Sequence, residues 1–263
     1  MWLKKVYYFT RQMLAIGVYF AEAFLIRSFY RDPVRRRRLE IKNTTRTCRR
    51  LLSGFKVDLR LKNPERLKQL RDQQYLLVGN HSAYLDIFLL GALENFVFIT
   101  SVDMSETPVL GDIIRSAGCL YTNRKQKISL PQEIKRFTET LRKGFKVVLF
   151  PEEQGTDGSN VKAFRKSLFQ VAVDAACTVL PVCIRYLRLD GKPINADSRK
   201  LVCWYTGINF VKHYWNLLAR RVEAEICFLD PVPHDPGRNR GELSELVYHS
   251  VSDAFHAYDA QPS

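Results

Sequence analysis

The sequence predicts a mixed α/β domain, with a central sheet flanked by helices, behind an amphipathic N-terminal segment. Beyond Ser53, short apolar segments of strand length alternate with helix-like segments, which is the pattern of an α/β domain. Of the 263 residues, 46% are hydrophobic, enough to fill a sizeable core. The region before Ser53 is instead aromatic-rich and then strongly basic. We therefore divide the chain into a membrane-associating helical segment, 1–52, and an α/β domain, 53–263.

The first 30 residues predict a helix that lies in a membrane interface. They imitate a signal peptide, but Arg11 and Gln12 interrupt the apolar stretch, and the cationic residues behind it oppose translocation. We therefore expect no cleavage. The apolar run 13–26 contains Glu22 and is shorter than the roughly 20 residues that a bilayer core requires. Aromatic residues at both ends favour an interfacial helix, with an ordinary core helix as the alternative.

A dense basic run follows this helix. Between residues 27 and 50 only Asp32 and Glu40 oppose ten arginines and lysines, and the chain carries a formal charge of +14. Each basic side chain near an anionic bilayer contributes about 1 kcal/mol to binding. RNA binding would produce a similar charge, but no aromatic RNA-binding pattern accompanies the run. We expect an anionic membrane surface as partner, no nucleic acid, and a peripheral or monotopic location on the inner face of the cytoplasmic membrane.

The domain itself is predicted from a succession of apolar segments. The predicted strands are 55–59, 75–80, 96–100, 119–123, 146–150, 178–186, 201–206 and 224–229. A Pro-rich stretch at 230–237 then precedes a predicted terminal helix, 242–258.

Several kinds of site are excluded by their missing motifs. The six cysteines are scattered without a C-x-x-C pair, so we expect reduced core residues in a cytosol-facing protein. The sequence has no H-E-x-x-H, no G-x-S-x-G and no Walker loop. We expect no metal and no cofactor.

The stretch LLVGNHSAYLDIFLLG, 76–91, combines buried apolar runs with His81 and Asp86 at a strand-to-helix junction. On one helix, two residues five positions apart would point about 140° away from each other. They can meet if His81 lies in the turn and Asp86 in the first helical turn. Asp86 could then fix the tautomer of the imidazole and leave its second nitrogen as a base. A structural histidine in a loop is the alternative for this pair taken alone.

Further motifs follow in order. They are N-H-x-x-x-x-D at 80–86, GCLYTNR at 118–124, FPEEQGTDG at 150–158, FRKSLF at 164–169 and VLPVCI at 179–184. Together they resemble the motif blocks of the glycerolipid acyltransferases, the family of bacterial 1-acylglycerol-3-phosphate acyltransferases. The resemblance implies a mixed α/β domain preceded by a membrane-associating helical pair.

The resemblance also implies an O-acyltransferase that moves a fatty acyl group from acyl-CoA or acyl carrier protein to a lysolipid hydroxyl. His81 would be the base, oriented by Asp86, and transfer would be direct. The residues expected to bind substrate are Asn80, Gly118, Tyr121, Arg124, Glu152, Gly155 and Thr156. Arg124 offers a planar fork suited to a phosphate or carboxylate, whereas packing is the stronger interpretation of Tyr121. The favoured acceptor is 1-acylglycerol-3-phosphate, in phospholipid synthesis.

The third block departs from the family pattern. Glu153 and Gln154 stand where the family has Gly-Thr, before Gly155 and Thr156. A second carboxylate would repel a phosphate unless it is paired or points away. Either the loop shifts its register onto Gly155-Thr156, or the acceptor carries a cationic or amino-acid head, as in the similar lyso-ornithine lipid acyltransferases. A catalytically silent membrane-surface protein is a further alternative.

Overall fold

A computed structural model describes residues 2–107, 110–123, 126–205 and 207–257. The helices are α1 Trp2–Phe29, α2 Pro33–Leu52, α3 Pro64–Gln69, α4 Tyr84–Leu93, α5 Val102–Ser105, α6 Leu110–Ser116, α7 Leu130–Arg142, α8 Gln170–Ala175, α9 Ala196–Val202, α10 Phe210–Leu217 and α11 Arg240–His256. The strands are β1 Asp58–Lys62, β2 Tyr75–Gly79, β3 Phe96–Ser101, β4 Leu120–Thr122, β5 Lys146–Leu149, β6 Thr178–Leu189, β7 Lys192–Pro193 and β8 Val222–Phe228.

The strands within the described residues form one mixed sheet in the order β1-β8-β6-β2-β5-β3-β4, with β7 paired to β6. Pairing is parallel except for β6 with β8 and with β7. Strand β2 lies between β5 and β6, and all five of its residues are buried. Such a strand, covered on both faces, reads as a continuous apolar run rather than an alternating one. The predicted fold class is confirmed, and the central strand β2 leads directly into the segment that holds His81.

Two of the predicted strands are wrong or displaced. Residues 201–206 are predicted as a strand, but Val202 is the last residue of helix α9. Asn195 caps the N-terminus of this helix, where its side chain accepts from Ser198 N at 2.9 Å. Val202 is fully buried, so its apolar character reflects packing of the last helical turn. The strand predicted at 55–59 begins three residues later, because Phe55 is fully buried in the turn that precedes it. Strand β1 lies at the sheet edge, where charged side chains interrupt the apolar pattern.

The N-terminal region is a helical pair packed on the domain. Asp32 caps α2 by accepting from Arg35 N at 2.6 Å, with Pro33 in the first turn. Proline fits a first turn, whose N–H groups lack helical partners. Ile41 of α2 is 2% exposed and belongs to the same core as the sheet. The boundary predicted at residue 52 stays a prediction, but α2 shares the core of the domain, so the 1–52 segment is not a detachable arm.

Several arginines of the basic run bind the domain, although their side chains stay exposed. Arg38 Nη2 donates to Lys143 O at 3.1 Å, and Arg49 Nε donates to Ala92 O at 2.7 Å. Arg46 pairs with Glu22 of α1. Part of the charge predicted for the membrane therefore ties α2 to α1, α4 and the region after α7.

Helix α1 keeps a large apolar surface open. Ten of its large apolar side chains are exposed: Trp2, Leu3, Tyr7, Phe9, Met13, Leu14, Val18, Phe24, Leu25 and Phe29. Its opposite face packs inward, and Tyr19 is 1% exposed. The helix has 28 residues and therefore extends beyond the apolar run 13–26. By length and composition alone it could cross a membrane.

Candidate active site

His81 and Asp86 meet at the junction between β2 and α4. The strand ends at Gly79 and the helix begins at Tyr84, so His81 lies in the turn and Asp86 in the first helical turn. His81 Nδ1 lies 2.9 Å from Asp86 Oδ2. An ionised carboxylate only accepts, so Nδ1 carries the proton and a neutral imidazole has its lone pair on Nε2. This is the contact that the spacing of the two residues predicted.

The carboxylate of Asp86 is completely buried and fully engaged. Its Oδ2 also accepts from Ser82 N at 2.7 Å and from Ala83 N at 2.9 Å. The Tyr186 hydroxyl, on β6, donates to the other oxygen, Oδ1, at 2.5 Å. These donors stabilise a charge that burial alone would disfavour, and the helix N-terminus adds to the effect. Asp86 is therefore held as a fixed acceptor behind the imidazole.

The third sequence block fixes the main chain of His81. Its N–H donates to Glu152 Oε1 at 2.7 Å, and its carbonyl accepts from Thr156 N at 2.9 Å. The second oxygen of Glu152 accepts from Lys162 N at 2.9 Å. Burial raises the pKa of Glu152 to about 7, against the opposing effect of these two hydrogen bonds. Both polar main-chain groups of His81 are thus held by residues that lie more than 70 positions later.

The imidazole ring of His81 is held in place by an aromatic neighbour and is partly exposed to solvent. Phe150 stacks on it with the ring centroids 4.4 Å apart and the planes 18° apart. The His81 side chain is 18% exposed. A neutral imidazole with a fixed tautomer and orientation, reachable from outside, can accept a proton from a bound hydroxyl.

Comparisons with known proteins agree with this geometry. A family model described as "Acyltransferase" matches residues 58–185. The Neisseria gonorrhoeae protein "1-acyl-sn-glycerol-3-phosphate acyltransferase" is 35% identical over 177 residues, covering 67% of this chain and 67% of that protein. This chain belongs to the acyltransferase family.

Other relatives of this chain carry a second acceptor in their names. The Rhizobium meliloti protein "Lyso-ornithine lipid O-acyltransferase" is 29% identical over 185 residues, which span 67% of this chain and 63% of that protein. The crystal structure of "1-acyl-sn-glycerophosphate (LPA) acyltransferase, PlsC" from Thermotoga maritima superposes with a TM-score of 0.70 at 20% identity. It covers 99% of this chain and 97% of its own, so the shared fold includes the N-terminal helices.

Two of the predicted substrate-binding residues instead hold the site together. The Asn80 amide donates to Ile184 O at 2.9 Å and accepts from Ile184 N at 2.8 Å, and Asn80 is 2% exposed. A Cβ on Gly155 would lie 2.4 Å from Trp204 O, which only glycine avoids. Asn80 ties the His81 turn to β6, and Gly155 lets the third block approach the segment after α9. The structure favours positioning roles for both.

The second block contributes mainly to packing. Gly118 has φ +71°, and a Cβ there would lie 3.3 Å from Ile41 of α2. Tyr121 is half-buried and donates its hydroxyl to Ile114 O at 3.2 Å, and burial raises its pKa to about 12. The contacts of both residues are with helices of the framework. For Tyr121 this agrees with the packing role that the sequence favoured, and substrate contacts of the two residues stay a prediction. Arg124 lies outside the described residues, and its role stays a prediction.

The departure in the third block has a structural counterpart. Thr156, not residue 154, pairs with the main chain of His81, and its Oγ1 accepts from Gly158 N at 3.3 Å. This contact fits the first alternative, in which Gly155-Thr156 stands in for the Gly-Thr of the family pattern. Glu153 adopts a left-handed backbone, φ 62°, and its Oε2 pairs with Arg165 Nε at 3.1 Å. The extra carboxylate, Glu153, is thus paired, and pairing is one of the two arrangements in which it would not repel a phosphate.

Two contacts of this site were missed from the sequence. Tyr186 lies on β6, two residues beyond the VLPVCI motif, and nothing in its surroundings distinguished it from a packing residue. Trp204 N donates to Ser82 O at 2.8 Å from the segment predicted as a strand. Among the described residues no group of three or more His, Cys, Asp or Glu side chains is placed to hold a metal ion.

Replacing Tyr186 by phenylalanine should alter the base without unfolding the domain. The carboxylate of Asp86 loses a donor, its charge is less dispersed, and the imidazolium of His81 becomes easier to form. We expect kcat to fall by about tenfold and the acid limb of the pH profile of kcat/KM to move to higher pH. Tyr30→Phe, on the N-terminal pair, is the control. If kcat falls in Tyr186→Phe but the acid limb of the pH profile does not move, the Tyr186 hydroxyl has only a packing role.

Proposed function

We propose that this acyltransferase transfers a fatty acyl group from an acyl thioester to the free hydroxyl of a lysolipid. The observation that carries the proposal is the contact between His81 Nδ1 and the buried carboxylate of Asp86, at 2.9 Å. A lipid hydroxyl is a poor nucleophile at neutral pH, so it needs a base held in one orientation. A positioned base of this kind contributes about 10²–10⁴-fold to the rate.

The reaction proceeds in one displacement. His81 Nε2 takes the hydroxyl proton while the oxygen attacks the thioester carbonyl, and a tetrahedral intermediate forms. Its collapse breaks the carbon–sulfur bond, and the imidazolium returns the proton to the departing thiolate. The products are an ester and a free thiol, and Asp86 stabilises the charged imidazolium in between.

Direct transfer is supported by the position of the neighbouring serine. Ser82 is 4% exposed, and its Oγ lies 3.4 Å from Thr156 Oγ1. A nucleophile needs a base within hydrogen-bond reach, and the partner that Ser82 has is another hydroxyl. The acyl group therefore passes to the lipid without an acyl-serine. Either acyl-CoA or acyl carrier protein can supply the thioester as co-substrate, with no other cofactor.

Two acceptors fit the relatives. The names of the Neisseria and Rhizobium proteins give 1-acylglycerol-3-phosphate and lyso-ornithine lipid respectively. We propose 1-acylglycerol-3-phosphate, in phospholipid synthesis, as the first candidate from the motif pattern. The second is supported by the name of the Rhizobium relative, whereas the ion pair of Glu153 with Arg165 neutralises the extra carboxylate and is compatible with a phosphate head.

The substrates dissolve in membranes, and the protein offers a surface for one. The exposed apolar side of α1 fits a bilayer interface, and exposed basic residues of α2 such as Lys42 and Arg50 suit anionic lipids. We propose a peripheral or monotopic protein on the inner face of the cytoplasmic membrane.

The direct test is an acyl-transfer assay with the full chain. Purified protein in vesicles is incubated with radiolabelled acyl-CoA, or labelled acyl carrier protein, and a panel of lysolipids. We expect label in a diacylated lipid and none without lysolipid. Failure with every acceptor and both donors would favour a catalytically silent membrane-surface protein.

A further inference from the structure

Glu152 is a buried carboxylate whose two oxygens both face the main chain. The residue is 7% exposed. Its Oε1 accepts from His81 N at 2.7 Å, and its Oε2 accepts from Lys162 N at 2.9 Å. A buried charge is tolerated only where hydrogen bonds of this kind satisfy it. Little of Glu152 is therefore left to contact a bound lipid, although the sequence motif made it a candidate substrate ligand.

The two hydrogen bonds close a loop beside the base. Lys162 lies ten residues after Glu152, so one side chain holds both ends of the loop 153–161. The middle of this loop is attached to the same turn, because Thr156 N donates to His81 O at 2.9 Å. Glu152 thus fixes the main chain of His81 directly, and it also fixes the loop that holds the carbonyl of His81.

The protonation state of Glu152 decides how many of these hydrogen bonds it accepts. An ionised carboxylate accepts at both oxygens, whereas a protonated carboxyl carries an O–H on one of them and accepts well only at the other. Burial raises the pKa of Glu152 to about 7, against the opposing effect of the two main-chain donors. The carboxyl therefore exchanges its proton within the pH range in which acyl transfer is ordinarily assayed.

Two titratable side chains among the described residues act on Glu152. A charged imidazole of His81 lowers the pKa of Glu152, and the carboxylate of Asp86, on α4, raises it. On the side of the third block, the partner of Glu152 is the main chain of Lys162, whose side chain is exposed. Because the interaction between two charges is mutual, an ionised Glu152 also favours the imidazolium that forms during transfer.

We propose that Glu152 is a positioning residue rather than a ligand of the acceptor, and that its ionised form is the one that holds His81 in place as a base. The inference rests on the proposed acyl transfer and adds a second proton to its pH dependence. Full activity then requires two groups to be free of a proton, the imidazole of His81 and the carboxyl of Glu152. Binding of the lysolipid does not depend on Glu152.

The test measures kcat of the wild type and of Glu152→Gln from about pH 5.5 to about pH 8.5, on either side of the pKa of Glu152. Glutamine and protonated glutamate share their shape and offer one good acceptor oxygen each. At the alkaline end we expect the variant to be about tenfold slower, the loss of one charge-assisted hydrogen bond to the turn. At the acid end the two rates should converge, because Glu152 is then protonated in the wild type as well. A ratio of the two rates that stays constant with pH overturns the inference.

A split between kcat and KM separates positioning from acceptor binding. A positioning role predicts that the KM for lysolipid stays within about twofold of the wild-type value while kcat falls. A KM raised about tenfold with an unchanged kcat would make Glu152 an acceptor ligand and contradict the proposal. Glu152→Asp is the second variant, because it keeps the charge but withdraws it by one methylene. It should also lower kcat, and a wild-type kcat in this variant would show that the position of the carboxylate does not matter.

Asp190→Asn is the matched control. In the turn after β6, Asp190 Oδ1 accepts from Arg221 N at 2.9 Å, so this variant also replaces a carboxylate that holds a main-chain N–H by an amide. Its kcat should match the wild-type value at every pH, and a pH-dependent loss as large as that of Glu152→Gln would overturn the inference.

The proposed function and the role of Glu152 fail differently in this experiment. Ester formation by the wild type with a ratio that does not change with pH overturns only the role of Glu152. Absence of ester formation by the wild type at every pH overturns the proposed function and the inference with it.

Discussion

Replacing His81 by alanine is expected to reduce acyl transfer by at least about a thousandfold, within the range that a positioned general base supplies. The ring is partly exposed, and the main-chain hydrogen bonds to Glu152 and Thr156 do not depend on the side chain. Fold and vesicle binding should therefore be kept. Asp86→Asn should lose most activity as well, because an amide cannot stabilise a charged imidazole.

The control for this substitution is His234→Ala, which removes an exposed imidazole elsewhere in the domain. Turnover is measured with saturating thioester, and circular dichroism and vesicle sedimentation report on fold and membrane binding. Near-normal turnover of His81→Ala would contradict the mechanism. Loss of turnover together with loss of fold would not support it, so Asp86→Asn is measured in parallel by its pH profile.

Replacing three exposed residues of α1, Leu14, Phe24 and Leu25, by glutamine is expected to release the protein from vesicles. They are 69%, 71% and 51% exposed, so the folded domain does not depend on them. Each should contribute roughly 1 kcal/mol or more in the interface, so binding should fall by about a hundredfold or more. Sedimentation with anionic vesicles measures this directly.

Point substitutions are the proper test here, since deletion of residues 1–52 would remove Ile41 and open the core. Leu246→Gln, which changes a half-exposed leucine of α11, is the control. High salt should weaken wild-type binding only in part, because apolar burial is not screened whereas the arginine contribution is. Complete release by salt alone would show that α1 is not inserted.

The sequence predicted the centre of this protein well because one short stretch carried it. The pattern between residues 75 and 91 predicts a buried apolar strand, a polar turn and a helix, and these elements determine where His81 and Asp86 lie. The terminal helix was also predicted to within two residues at each end. These elements have strong local patterns and short connections.

What the sequence missed depends on long-range contacts. Leu201 and Val202 form the end of α9, and residues 203–205 follow it outside the sheet. The cap at Asn195, six residues before Leu201, is the local signal for that helix. Tyr186 meets Asp86 across 100 positions, so no local pattern could assign it. The partner of Glu153 is likewise set by how the loop folds back, not by its neighbours in sequence.

The stoichiometry of a single reaction tests the central claim most directly. Wild-type protein in vesicles is mixed with an acyl thioester, with and without lysolipid, and free thiol and new ester are counted together. Direct transfer to a hydroxyl predicts one ester per thiol, thiol release that requires the lysolipid, and no label on the protein. Thiol release at the same rate without lysolipid, or label retained on the protein, would contradict the account.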